Sequence, residues 1–238
     1  MQCMRKGFTL LELSIVLVIL GLLAGGVLAG QALIRAAELR AVGTEHTSFI
    51  TGINVFRDKY FALPGDFTNA GAVWGLVNTG ICGDAPSTDK KTCNGNGNGM
   101  IEIATALNPT DGAISYGTNE GSYFWKQLAN VELTSGPFDN MNPYNPSKFS
   151  AAYWVAVSFP ATSSNGFVFV TRNGSSQPLL PEDALNLDIK LDDGKPLSGA
   201  IQGWVSNTSE GIGACINGTS YNATATTPGC SLNFLQRF

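Results

Sequence analysis

Residues Arg5–Gly30 read "RKGFTLLELSIVLVILGLLAGGVLAG". From Phe8 to Ile34 the chain is apolar except for Thr9, Ser14, Gln31 and a single charge, Glu12. About 27 residues at ~1.5 Å each exceed the ~30 Å hydrocarbon core of a bilayer, so this run is long enough to cross it. A carboxylate inside such a run is poorly solvated and calls for a partner. An ordinary secretory signal peptide would use Arg5 and Lys6 as its basic region and Val27-Leu28-Ala29 as a small-residue cleavage site, but it has no use for Glu12. A simple membrane anchor leaves Glu12 equally unexplained.

The helical pattern continues beyond the apolar run. Leu39, Val42, His46, Phe49, Ile53, Phe56 and Tyr60 alternate in steps of three and four, which is one continuous stripe on a helix. The charges Arg35, Glu38, Arg40, Glu45, Arg57 and Asp58 fall mostly off it. The pattern predicts one helix over residues 8–61, about 55 residues and roughly 80 Å by the standard rise. Residues 8–34 would be its membrane and polymerisation segment, and the amphipathic remainder would pack on a head formed by residues 62–238. "LPGD" (Leu63–Asp66) ends the helix, because proline and glycine do not continue it.

Residues 66–150 are rich in glycine and asparagine and show little strand character. One amphipathic helix is expected at Ser122–Leu133, with Phe124, Trp125, Leu128 and Val131 inward. Ala151–Phe159 and Gly166–Arg172 read as a β-hairpin, and Gly199–Ser206 as a third strand. Glu182–Gly194 reads as a short helix ending at glycine, and the chain from Asn207 as a polar loop. The fold class is therefore α+β: a long N-terminal helix packed on a small antiparallel sheet.

Composition narrows the function classes. Of 238 residues only 13% are charged, the net charge is −4 and 28 are glycine, which suits an exported domain with a neutral, hydroxyl- and amide-rich exterior. About 200 residues beyond the apolar run are enough for one domain with a core. No basic patch is present to hold nucleic acid. Apart from Cys3, the cysteines form two local pairs, Cys82/Cys93 and Cys215/Cys230, without metal-knuckle spacing. Two disulfides in an oxidising compartment are expected.

"KGFTLLEL" (Lys6–Leu13), with the apolar sequence to Ala24 and Gly21 within it, resembles the class III signal of type IV pilins and of the pseudopilins of type II secretion. The resemblance implies cleavage by a prepilin peptidase between Gly7 and Phe8 and methylation of the new amine of Phe8, with residues 1–7 as a leader. It implies that Glu12 pairs with that amine on a neighbouring subunit, offsetting two buried charges and setting the register between helices. The resemblance departs at Ala29, where many pilins and major pseudopilins carry a helix-bending proline.

The implied function is a structural subunit of a filament. Its partners would be other pilin subunits, prepilin peptidase, and the inner membrane with the pilus or secretion assembly machinery. The precursor would sit in the bacterial inner membrane with its head in the periplasm, and later in a surface pilus or a periplasmic pseudopilus. Alternatives are a pseudopilin of type II secretion, or a membrane-anchored adhesin or glycan-binding module presenting aromatics such as Trp74 and Trp204.

Catalytic patterns are absent: the sequence has no G-x-S-x-G, H-E-x-x-H or Walker A motif, and its only histidine, His46, lies on the packed helix stripe. An enzyme is not expected, and no cofactor is required. "NGNGNGMIEIAT" (Asn94–Thr105) has the spacing of a calcium loop, with Asn94, Asn96, Asn98 and Glu102 as oxygen side chains, Gly99 at the sharp bend and the Met100 carbonyl next to it. It lacks the closing bidentate glutamate, where Thr105 stands. The same residues also read as a glycine turn capped by asparagine side chains. Asp188, Asp192 and Asp193 form a second oxygen cluster.

Overall fold

The computed structural model of the chain describes residues 9–77, 89–102, 105–107, 114–116, 120–136, 138, 144–149, 152–159, 164–171, 177–204 and 215–236. Helix α1 runs without interruption from Leu10 to Tyr60. The chain divides into two compact units, Met1–Arg40 and Ala41–Phe238. In the first unit the apolar side chains of α1 from Leu10 to Ile34 are exposed, and this helix is long and apolar enough to cross a membrane.

In the second unit the C-terminal part of α1 carries the predicted stripe, and Val42, Phe49, Ile53 and Phe56 on it are buried. The helix ends where Phe61 takes a left-handed conformation (φ 53°) while its N–H still donates to the Arg57 carbonyl at 2.8 Å. A short helix α2 (Ala70–Trp74), a strand pair β1 (Thr105–Leu107) and β2 (Ile114–Tyr116), and helix α3 (Glu120–Asn130) follow. Then come β3 (Tyr144–Pro146), β4 (Ala152–Phe159), β5 (Ser164–Thr171), α4 (Pro181–Leu191) and β6 (Ile201–Trp204). A small hairpin of β7 (Ile216–Asn217) and β8 (Ser220–Tyr221) precedes β9 (Ser231–Gln236).

The main sheet has the order β3-β4-β5-β9-β6, with every pairing antiparallel. Strand alternation gives it two apolar faces. On one, Trp154 pairs with Phe169, and Phe167 with Phe234; all four rings are fully buried. The stripe of α1 packs there: Phe49 lies 4.9 Å from Trp125 of α3, 5.6 Å from Trp154 and 5.6 Å from Phe167, and His46 lies 4.7 Å from Phe234. On the other face Tyr144, Val155 and Val170 form a smaller cluster with Tyr153 and Val168. Glu45 adds a polar tie from helix to sheet. Its carboxylate accepts the Trp154 Nε1–H at 2.8 Å, the Ser147 hydroxyl at 2.6 Å and the Lys148 N–H at 2.8 Å.

The α+β architecture agrees with the sequence reading, and three details differ. Helix α3 starts two residues before Ser122 and ends at Asn130, because Glu120 leads its first turn. The Gly/Asn-rich segment contains α2, β1, β2 and β3, each too short for a periodic signal. The tail expected as a loop holds β9, the strand between β5 and β6. Its alternation Leu232-Asn233-Phe234 puts Leu232 and Phe234 in the core.

His46 supplies a pH test of this packing. Burial lowers its pKa from 6.5 to about 4. The unfolded chain therefore takes up the proton first. The contribution of neutral His46 is complete above pH 6.5 and is lost as pH falls towards 4. At pH 5 the wild-type chain should have lost about 2 kcal/mol relative to His46→Phe. Paired urea melts at pH 7.5 and 5 measure this, since carboxylates titrating in both chains cancel. A pH-independent gap between the two chains would refute it.

Candidate functional site

Two polar constructions stand out. The first is the start of α1. Thr9 N–H and Thr9 Oγ1–H both donate to Glu12 Oε2 at 2.8 Å, and Glu12 N–H donates back to Thr9 Oγ1 at 3.2 Å. This is a reciprocal capping box, which satisfies amides that have no partner inside the helix. The sequence reading assigned Glu12 to assembly alone; T-x-x-E before an apolar run was the signal for this second engagement. Gly7 and Phe8 lie outside the described residues. A methyl group added at Gly21, Gly25, Gly26 or Gly30 would meet no described atom within 4 Å, so the helix is open to close approach at each of the pairs Gly21/Gly25 and Gly26/Gly30.

The second is a polar hub where the LPGD turn, the NGNGNG loop, α3 and β5 meet. The buried Asp66 carboxylate accepts the N–H groups of Gly97 (2.5 Å), Asn98 (3.1 Å) and Gly99 (2.7 Å). Positive φ at Gly97 (75°) and Gly99 (82°) turns successive amides towards one centre, a backbone nest filled by the protein's own carboxylate. Glu120 at the start of α3 accepts Asn96 N–H at 2.9 Å and Glu102 N–H at 3.0 Å. Burial pushes the Glu120 carboxyl up from its ordinary value, the two N–H bonds oppose this, and the nearby Asp66 and Glu102 charges add to it.

Asn165 of β5 closes the hub, accepting Ile101 N–H and donating to the Gly99 carbonyl, both at 2.9 Å. Gln127 accepts Gly65 N–H at 2.8 Å and donates to the Cys93 carbonyl at 3.0 Å. Gly65 is required here: at φ 87° a Cβ would stand 2.5 Å from the Glu120 carbonyl.

The proposed calcium residues are partly brought together. The amides of Asn96 and Asn98 donate to the two oxygens of Glu102 at 2.8 and 3.0 Å. Their own oxygens accept Asn98 N–H and Met100 N–H at 2.9 and 2.8 Å. Asn94 turns away to accept Gly71 N–H at 2.7 Å. Asp66 and Glu120, which sequence spacing did not connect with the loop, are its main anchors.

Asp188, Asp192 and Asp193 also converge, with ligand atoms within 4.8 Å of one another. Each is engaged. Asp188, fully buried, accepts the Tyr221 hydroxyl at 2.7 Å and Gly194 N–H at 3.0 Å. Asp192 accepts Ile201 N–H at 2.9 Å, and Asp193 accepts Lys195 N–H at 2.9 Å and the Ser198 hydroxyl at 2.7 Å. Burial pushes the Asp188 carboxyl up, and burial with the Asp188 bond pushes the Tyr221 hydroxyl up. These carboxylates hold the turn after α4 and the hairpin β7–β8.

Cys215 and Cys230 form a disulfide with Cα atoms 4.8 Å apart. Cys93 is disulfide-bonded, and Cys82, its expected partner, lies outside the described residues. Trp74 is not the exposed ligand platform considered for an adhesin: it is half-buried in a cluster with Phe56, Tyr60 and Phe67 at 5.2–6.2 Å. The Trp204 side chain is outside the described set.

An exposed apolar helix, opened by a threonine–glutamate box and continued into an α+β head, defines a pilin-like architecture. Residues 3–28 match the family model described as the prokaryotic N-terminal methylation motif, so the chain carries the prepilin-type signal of type IV pilins and pseudopilins. No curated protein and no solved structure matches the chain.

The hub yields a direct test. Asp66→Ala leaves the N–H groups of Gly97 and Gly99 without their acceptor, while Asn98 N–H keeps Asn96 Oδ1, and should destabilise the head by about 2–3 kcal/mol. Hydrogen exchange at Gly97 and Gly99 should accelerate together. Unchanged exchange at these amides would show that Asp66 does not organise the loop.

Proposed function

We propose that this chain is a structural subunit of a type IV pilus-like filament. The methylation motif at residues 3–28 carries the reading, supported by the exposed apolar run that follows on the same helix. Prepilin peptidase cuts the membrane-inserted precursor between Gly7 and Phe8 and methylates Phe8. The head lies on the periplasmic side, and assembly machinery extracts the subunit into a bundle of N-terminal helices. There Glu12 exchanges part of its capping contacts with Thr9 for the amine of a neighbouring Phe8, so the pair sets register rather than bulk stability. The chain does no chemistry of its own. A type II secretion pseudopilus uses the same signal and the same helix.

The expected N-terminus of the native protein is an N-methylated Phe8, read by mass spectrometry. Glu12→Ala should still be inserted and cleaved, with the melting of the head unchanged, and should drop out of purified filaments. An intact Met1, or full incorporation of Glu12→Ala, would overturn this assignment.

We also propose calcium as an optional ligand of Asn96, Asn98, Glu102 and the Met100 carbonyl. The two asparagine amides rotate and Glu102 releases them to the ion. With one carboxylate the affinity is weak, on the order of 10⁻⁴–10⁻³ M. Calcium at one to ten times Kd then adds only about 0.4–1.4 kcal/mol. Melts with EDTA and with millimolar calcium should differ by a small upward shift that Glu102→Gln removes. Identical melts would leave an asparagine-capped glycine turn that folds without metal.

A further inference from the structure

Beside the polar hub lies an open groove of about 940 Å³ bounded by the end of α1, the LPGD turn and the NGNGNG loop. Asn54, Arg57, Asp58 and Phe61 line it at spacings of three, one and three, so they share one face of the helix end. All four are exposed, and among the described residues none of their side chains makes a hydrogen bond, ion pair or ring contact. Arg57 and Asp58, adjacent and oppositely charged, do not neutralise each other by pairing.

Phe61 is the sharpest feature. Its side chain is 93% exposed, and its backbone φ is 53°, where a bulky residue is strained. A left-handed residue just past a helix end is ordinarily glycine. Here the position holds a rigid aromatic ring, directed into solvent at the rim of a groove. Local strain of this kind points to a site where the side chain is needed.

From this constellation we infer that the groove is a binding site for a neutral oligosaccharide. Its dimensions fall within the range of ligand sites, about 300–1,000 Å³. Arg57 donates, Asp58 accepts, and Asn54 and Thr68 do both, which matches the mixed donor and acceptor character of sugar hydroxyls. Arg57 and Asp58 offer opposite charges side by side without pairing, and the Asp66 carboxylate at the floor already accepts three N–H groups. With one guanidinium against the carboxylates of Asp58 and Asp66 the lining does not favour an anion, and a neutral ligand uses its mixed donors and acceptors without a charge to desolvate. Phe61 supplies the apolar platform for the C–H face of a pyranose ring. This site does not depend on the filament reading, because every residue in it lies in the unit Ala41–Phe238, outside the exposed apolar run.

The test uses the full chain in a detergent without a sugar headgroup, so that the solvent does not compete. Cellobiose, lactose, chitobiose and maltotetraose are offered at about 10 mM, and contact is read by saturation-transfer NMR and calorimetry. At least one should bind with a Kd of about a millimolar. Phe61→Ala should weaken it at least tenfold and Asp58→Asn several-fold. Phe61→Gly separates the site from the fold: relief of the left-handed strain should raise the melting temperature while binding is lost. Failure of all four saccharides, or equal binding by wild type and Phe61→Ala, overturns the proposal. So does a Phe61→Ala variant that binds sugar normally and drops out of filaments, which would make the groove a contact between subunits.

Discussion

The second half of α1 has one apolar face, and an isolated helix with such a face is not stable in water. Covering that face is the constraint from which the head follows. Phe49 and His46 meet rings from three elements: Trp125 of α3, Trp154 and Phe167 of the central hairpin, and Phe234 of the last strand. Each fully buried aromatic contributes roughly 1.5–3 kcal/mol in removal from water. The sheet is thus assembled around the helix, and the C-terminal strand must return to its middle to finish the surface the helix needs. Glu45 makes the same junction directional, since its carboxylate takes hydrogen bonds from Trp154, Ser147 and Lys148.

Glycine-rich connections set a second requirement. A loop such as Asn94–Gly99 has a high conformational entropy to lose and almost no apolar surface to bury. It is ordered through polar contacts from outside itself: the carboxylates of Asp66 and Glu120 and the amide of Asn165, while Gln127 ties Cys93, just before the loop, to Gly65. These four side chains come from the turn after α1, from α3 and from β5. The hub therefore couples elements that the aromatic core already holds together. The left-handed Phe61 marks the border between this ordered hub and the groove beside it, where polar side chains are left unengaged.

The two units of the chain answer different physical demands. Up to Ile34 the helix exposes its large apolar residues, as expected of a segment whose solvent is lipid or other helices. Thr9 and Glu12 form a self-contained polar pair at its start, so the carboxylate has a partner before any neighbour arrives. From Ala41 onward the same helix obeys the rules of a water-soluble core. The methylation motif covers only residues 3–28, so what the head binds has to come from the chemistry of the head itself.

The sequence alone determined the long helix, because an apolar run and a three–four stripe are local periodicities that need no knowledge of the fold. It determined the prepilin-type signal for the same reason, since all its residues are contiguous. The hairpin β4–β5 and the helices α3 and α4 were legible from their own patterns to within a few residues. Tertiary structure alone decided the place of β9, whose six residues are a weak strand signal until Leu232 and Phe234 find the ring surface between β5 and β6. It also decided the partners of the NGNGNG loop. Spacing pointed Asn94, Asn96 and Asn98 at a common centre, whereas the folded chain brought in Asp66 and Glu120, 31 residues before Gly97 and 24 after Asn96. Long-range electrostatic and hydrogen-bond pairing leaves no periodic trace in sequence, because it depends on where the apolar core has placed the backbone.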